Sequence, residues 1–173
     1  MTTITNLQTA TRGSGAPKAR GASVASFARA ATATAYTAGD VISDLAADTP
    51  KCLVFPGCGT SGAIRGASLV YGDTKTANLE LWLFDSEPTN FLDNAALALV
   101  AADMPKLVGV LSFADSGKTT LGTNLDYRPS TSRDPIPYTT AAAGSLYGLL
   151  VTRSAFTPAS AAVVTARLRL EHD

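Results

Sequence analysis

The stretch CLVFPGCGTSGAIRGASLVY, residues 52–71, decides between two folds. Gly57, Gly59 and Gly62 spell G-x-G-x-x-G after a short apolar run, Cys52 to Phe55, where a dinucleotide-binding unit would carry its phosphate loop. That loop works only if a helix follows. The third glycine packs the helix on the sheet, and the helix N-terminus receives the pyrophosphate. Residues 63–71 argue against a helix: Gly66 interrupts them, an aliphatic and aromatic run follows, and the turn residues Gly72 and Asp73 end the stretch. Pro56 directly precedes the first glycine, and the acid nearest the expected offset, Glu80, sits inside an amphipathic strand pattern. The glycines therefore read as an inter-strand loop, and the chain reads as β.

Working outward, the same conclusion repeats. SFADSGKTT, residues 112–120, imitates a P-loop, but the position that needs the first glycine is Ser112, and the Thr-rich continuation with Gly122 does not read as a helix. A turn at Asp115 to Lys118 between two strands accounts for it. TATAYTAGDVISDL (32–45) alternates on either side of a turn at Ala38 to Asp40. ANLELWLFD (77–85) sets Leu79, Leu81 and Leu83 on one face and Glu80, Trp82 and Phe84 on the other. The second of these faces is either a further buried layer or an exposed one. KLVGVLSFAD (106–115) and SLYGLLVTR (145–153) are apolar on both faces, as central strands are. AAVVTARLRLEHD (161–173) points Val164, Ala166, Leu168 and Leu170 inward and Thr165, Arg167 and Arg169 outward. A further short strand is expected within residues 117–126. DNAALALVAADMPK (93–106) fits one or two helical turns capped by Asp93 and stopped by Pro105, or a strand over 96–100. Seven to nine strands without a long helix predict an all-β antiparallel sandwich, jelly-roll-like.

The chain has 173 residues, 46% hydrophobic and 16% charged, with 14 basic and 14 acidic side chains. That suits one domain with a sizeable core. A balanced charge argues against wholesale binding to nucleic acid or membrane, and no apolar run approaches the ~20 residues of a membrane span. Residues 1–30 differ from the rest, with Arg12, Lys18, Arg20 and Arg29, no acid, and few large apolar side chains. They read as an extended basic N-terminal arm on a β-sandwich domain over 31–173, an arm suited to lying along another protein's surface. No apolar export signal precedes it, so Cys52 and Cys58 read as free thiols, with a disulfide between them as the alternative in an oxidising setting.

Residues that carry chemistry are scarce. One histidine, His172, lies next to last, so neither a metal set nor a confident general base emerges. Asp85, Glu87 and Asp93 offer a carboxylate pair of glycosidase type, but in a polar loop they read as solvated acids. No catalytic, cofactor-binding or metal-binding residue is assigned. The long Pro-containing connection at 123–144 carries Tyr127, Arg128, Arg133 and Tyr138, a mixture enriched at protein interfaces, and it is a candidate interface loop.

The succession TAYTAGDVISDL (34–45), ASLVYGDTKTANLELWLFDSEPT (67–89), KLVGVLSFAD (106–115) and LYGLLVTRSAFTPASAAVVTARLRL (146–170) resembles small β-sandwich structural proteins of tailed bacteriophages, most closely head decoration, or cement, proteins. The shared pattern is an A-Y-x-A-G-D-V strand start, an L-x-F-D-like strand end, an L-V-G-V strand, and a late L-Y-x-x-x-V-x-R strand before a final amphipathic one. The resemblance covers roughly residues 32–170. It implies a non-enzymatic virion component without cofactor, made in the host bacterial cytoplasm, that binds the capsid exterior and clamps neighbouring major capsid protein subunits. It implies a trimer or a monomer at a symmetry axis, and no nucleic-acid or membrane partner. The arm, with Arg12, Lys18, Arg20 and Arg29, lies outside the resembling region and is expected to add capsid contacts. A tail- or fibre-associated role, or a carbohydrate-binding module using Trp82 and Phe84, is the alternative.

Overall fold

The computed structural model describes residues 19–29, 34–44, 51–75, 77–129, 134–141 and 144–172. Eleven strands are found among them: β1 Ala19–Ala28, β2 Val41–Ile42, β3 Leu53–Phe55, β4 Ser61–Tyr71, β5 Leu79–Phe84, β6 Leu107–Phe113, β7 Lys118–Leu121, β8 Asn124–Tyr127, β9 Ile136–Thr139, β10 Leu146–Thr152 and β11 Val163–His172. They form two antiparallel sheets. The first runs β1-β11-β4-β8-β7, with β9 also on β4, and the second runs β2-β10-β5-β6, with β3 also on β10. The chain is an all-β sandwich.

The period-2 patterns explain how the sheets meet. Leu79, Leu81 and Leu83 of β5 pack on the same core as Ile64, Leu69 and Tyr71 of β4 and Val164, Ala166, Leu168 and Leu170 of β11. All are buried. The stretch that decides the fold is β3, a loop over 56–60 and then β4, where residues 61–71 pair with β11, β8 and β9 instead of forming a helix.

Three expectations need correction. The arm does not extend to residue 30: Ala19–Ala28 is β1, paired with β11 from Ala19↔His172 to Ala28↔Val163. Ser23 and Ala25 face inward from it and are buried. Small side chains gain little from burial, and the ten-residue ladder supplies the hydrogen bonds that composition does not reveal. Arg29 is not a free arm cation. It is 3% exposed, and its Nε and Nη2 donate to the Tyr36 hydroxyl at 2.9 and 2.7 Å. The connection at 123–144 is not one long loop either, because it contains β8 and β9, which bury Tyr127 and Tyr138. Arg12, Lys18 and Arg133 lie outside the described residues.

Elsewhere the differences are smaller. Residues 117–126 hold not one strand but a hairpin, β7 and β8, turning at Gly122 with φ 64°. Residues 93–106 form neither expected element. They lie across the outer face of the second sheet and end in a 3-10 turn at Met104–Lys106. There Phe91, Leu97 and Leu99 pack with Val41, Phe84, Leu149 and Val151 in a second apolar layer. Among the described residues, the second sheet is thus covered on both faces and the first on one.

Candidate docking face

The face left uncovered by the described residues belongs to β1, β11, β4 and the β7–β8 hairpin. Alternation along β11 sends Thr165, Arg167 and Arg169 outward. Register then sets their neighbours: Arg167 lies between Val24 and Ser68, and Arg169 between Ala22 and Gly66. Small flanking side chains leave room around both guanidinium stems. The result is an open depression of about 710 Å³ lined by Arg20, Ala22, Arg65, Arg167, Arg169 and Glu171. It continues into one of about 340 Å³ lined by Val24, Val70, Leu121, Asp126 and Arg128.

Arg65 reaches this face through a β-bulge. Ile64 and Ala67 both point into the core, so two residues, Arg65 and Gly66, span the outward step where one would suffice. The register with β11 shifts at Arg169 and Leu170 accordingly. Bulges re-aim side chains, and this one adds a cation beside Arg167 and Arg169. Arg65 forms a two-pronged pair with Glu171 at 3.0 and 3.1 Å, and Arg128 pairs with Asp126 at 3.0 and 2.7 Å. Arg20, Arg167 and Arg169 have no acid partner among the described residues. Five arginines against two carboxylates make the face basic, and Val24 (51% exposed) and Leu121 (52%) make it partly apolar. Such a surface complements an acidic partner that also offers apolar contacts.

Of the residues singled out in the sequence, Arg20 and Arg128 lie on this face. Arg167 and Arg169 were readable as outward from alternation alone. Arg65 was not, because the bulge breaks that alternation.

The two nucleotide-like motifs are turns fixed by backbone conformation and packing. Gly57 and Gly59 adopt φ 69° and 72°, left-handed values that favour glycine. A Cβ on Gly62 would come within 2.7 Å of the Tyr138 hydroxyl. Tyr138 donates to the Cys58 carbonyl, and Thr140 Oγ1 donates to that of Gly59 at 3.0 Å, so the loop is tied down by its neighbours. Lys118 pairs with Asp115 in a 3-10 turn that leads into β7.

Other polar groups are engaged in structure. Asp93 accepts from the Tyr36 hydroxyl and the Ser43 N–H, both at 2.8 Å. Asp85 accepts from the Ser86 hydroxyl at 2.8 Å, and Glu87 from the Cys52 thiol at 3.5 Å. Cys52 and Cys58 are free and buried. Burial, with Glu87 beside it, pushes the Cys52 thiol up to about 12, and burial also raises Cys58. Phe84 is fully buried. The Trp82 indole donates to Glu80 at 2.9 Å, with the Arg153 guanidinium 5.8 Å from its ring centroid. Phe84 thus offers no platform for a sugar, and Trp82 is partly buried. A comparison with protein-family models gives no match, and neither does one with curated proteins.

Proposed function

We propose that this protein is a structural component of a bacteriophage virion that binds the outer surface of the capsid and holds neighbouring major capsid protein subunits together. The observation that carries the reading is the asymmetry of the two sheets. One has both faces covered, and the other presents a basic, partly apolar face with three arginines that lack acid partners among the described residues. A binding module needs such a face and a rigid frame behind it.

The strand orders support the finer reading of the fold as a jelly roll, an architecture common in viral capsid domains. The first strand lies beside the last, and the chain passes between the sheets after β1, β3, β4, β6, β9 and β10. Each exposed arginine pair contributes only about 0.2–1 kcal/mol. Many copies engaging one shell let modest single-site affinities hold it together. Residues 1–18, with Arg12 and Lys18, lie outside the described residues and are proposed to add further basic contacts.

The test is co-sedimentation with purified capsids that lack the protein. Arg167→Glu with Arg169→Glu should abolish most binding, and binding of the parent should weaken as salt rises, because exposed pairs are screened over about 8 Å at physiological ionic strength. Unchanged occupancy by the double variant would remove this face from the capsid contact. No binding by the parent would remove the function itself.

A further inference from the structure

β1 is the terminal strand of the first sheet, and no strand among the described residues pairs with its outer edge. The direction of its backbone groups follows from one hydrogen bond. The Arg29 N–H donates to the Ala162 carbonyl at 3.0 Å, and the register runs in step from there. Because bonded and non-bonded pairs alternate in an antiparallel ladder, Phe27, Ala25, Ser23 and Gly21 turn their N–H and C=O groups toward β11. Ala22, Val24, Ser26 and Ala28 turn theirs out of the sheet.

Edges of this kind are normally blunted by charge, proline, bulges or shortness. β1 has none of these between Gly21 and Ala28, and its ladder runs ten residues without a shift. The other sheet-end strands are protected. β2 and β3 are two and three residues long, β7 is four residues and begins at Lys118, and β6 has Ile136 of β9 packed over Gly109.

We propose that a second copy of this chain adds its own β1 to this edge, antiparallel, about a two-fold axis at Val24. Charge and position favour a like partner. Val24 is the midpoint of the outward-directed residues from Arg20 to Ala28, so this register overlaps the whole strand. Val24 faces Val24, Ala22 faces Ser26, and each Arg20 faces an uncharged Ala28 at the far end. No like charges meet. A neutral edge of small residues gives an acidic segment nothing to recognise, whereas it fits a copy of itself. The exposed Val24 side chains come together at the centre. Pairing continues the first sheet across both copies and sets their two basic faces side by side. The inference is independent of what docks on that face, since it concerns the purified protein alone.

The experiment is light scattering and disulfide capture on the full chain. The parent should have twice the monomer mass. Val24→Cys should link to itself under mild oxidation, because facing Cα atoms of a bonded pair lie about 5.5 Å apart, within the roughly 4.4–6.8 Å a disulfide spans. Ser26→Cys alone should not link, but mixed with Ala22→Cys it should. Val24→Pro removes an outward N–H without touching the ladder to β11, and should run at half the parent mass with its strand signal intact. Should that variant misfold, Val24→Lys serves instead, setting two ammonium groups at the axis. A monomeric or trimeric parent, a dimer that survives both Val24 variants, or a Val24→Cys that stays unlinked would each overturn the proposal.

Discussion

At the scale of single residues, polar groups hold this protein together where composition suggested surface. Arg29 reads in the sequence as a cation of the arm. Its partner Tyr36 stands seven positions away, and Asp93, which accepts from the Tyr36 hydroxyl, stands sixty-four away, so only the fold brings the three together. The Tyr36 hydroxyl accepts from the guanidinium and donates to the carboxylate, and burial together with Asp93 raises its pKa. Tyr36→Phe leaves the buried Arg29 and the half-buried Asp93 without their common partner. It should cost about 1.5–3 kcal/mol, the scale of a hydrogen bond to a charged group, readable in urea unfolding. Gly62→Ala should destabilise by about 1–3 kcal/mol, as overpacking does, through its approach to the Glu171 carbonyl and the Tyr138 hydroxyl. Combining it with Tyr138→Phe should not restore the loss in full, since the β11 backbone also lies against that position. Leu81→Ala should cost about 2–5 kcal/mol, while Arg169→Ala on the open face should fall within about 0.5 kcal/mol of the parent.

At the scale of elements, legibility followed side-chain size. β5 and β11 are readable because large aliphatic residues recur at every second position, Leu79, Leu81 and Leu83 in one and Val164, Leu168 and Leu170 around Ala166 in the other. β1, ARGASVASFA, offers mostly alanine, serine and glycine, whose alternation carries little hydrophobic signal, so a ten-residue strand passed for an arm. The segment at 93–106 was ambiguous for the opposite reason. Its apolar residues do face a core, but the layer is a second one outside the sheet, and backbone bonds to Gly39 and Val41 together with side-chain hydrogen bonds hold it in place of a regular element. Asp103 is central there, accepting from the Thr89 N–H and hydroxyl at 2.9 and 3.0 Å and from Lys106 at 2.7 Å. The Lys106 bond, against burial, holds its carboxyl below the usual range. A depressed folded pKa stabilises above the unfolded value, about 3.9, and that stabilisation disappears as pH falls through the folded value. The melting temperature should therefore drop on acidification below about pH 4, and Asp103→Asn should lower stability at neutral pH while flattening that drop.

For the molecule as a whole, the sandwich was legible in outline because turns and strand periods are local, while the choice of which face stays bare was not. That choice depends on where residues 86–106 lie, and no local pattern encodes it. The same non-local logic governs assembly of the first sheet. β11 sits between β1 and β4, yet it comes last of the eleven strands in chain order. During synthesis β1 and β4 therefore emerge without the neighbour they share, and the core opposite β5 and β10 stays open until β11 clears the ribosome. The first sheet cannot close before β11 is available, and such non-local pairing makes folding slow. A circular permutant that joins residue 172 to residue 19 by a short linker would turn the β1–β11 ladder into a local hairpin. It should fold faster than the parent in stopped-flow refolding while keeping a similar unfolding rate. Nascent chains stalled before residue 163, in contrast, should be protease-sensitive along their whole length, with the exposed flank of β4 held in check by chaperones until β11 arrives.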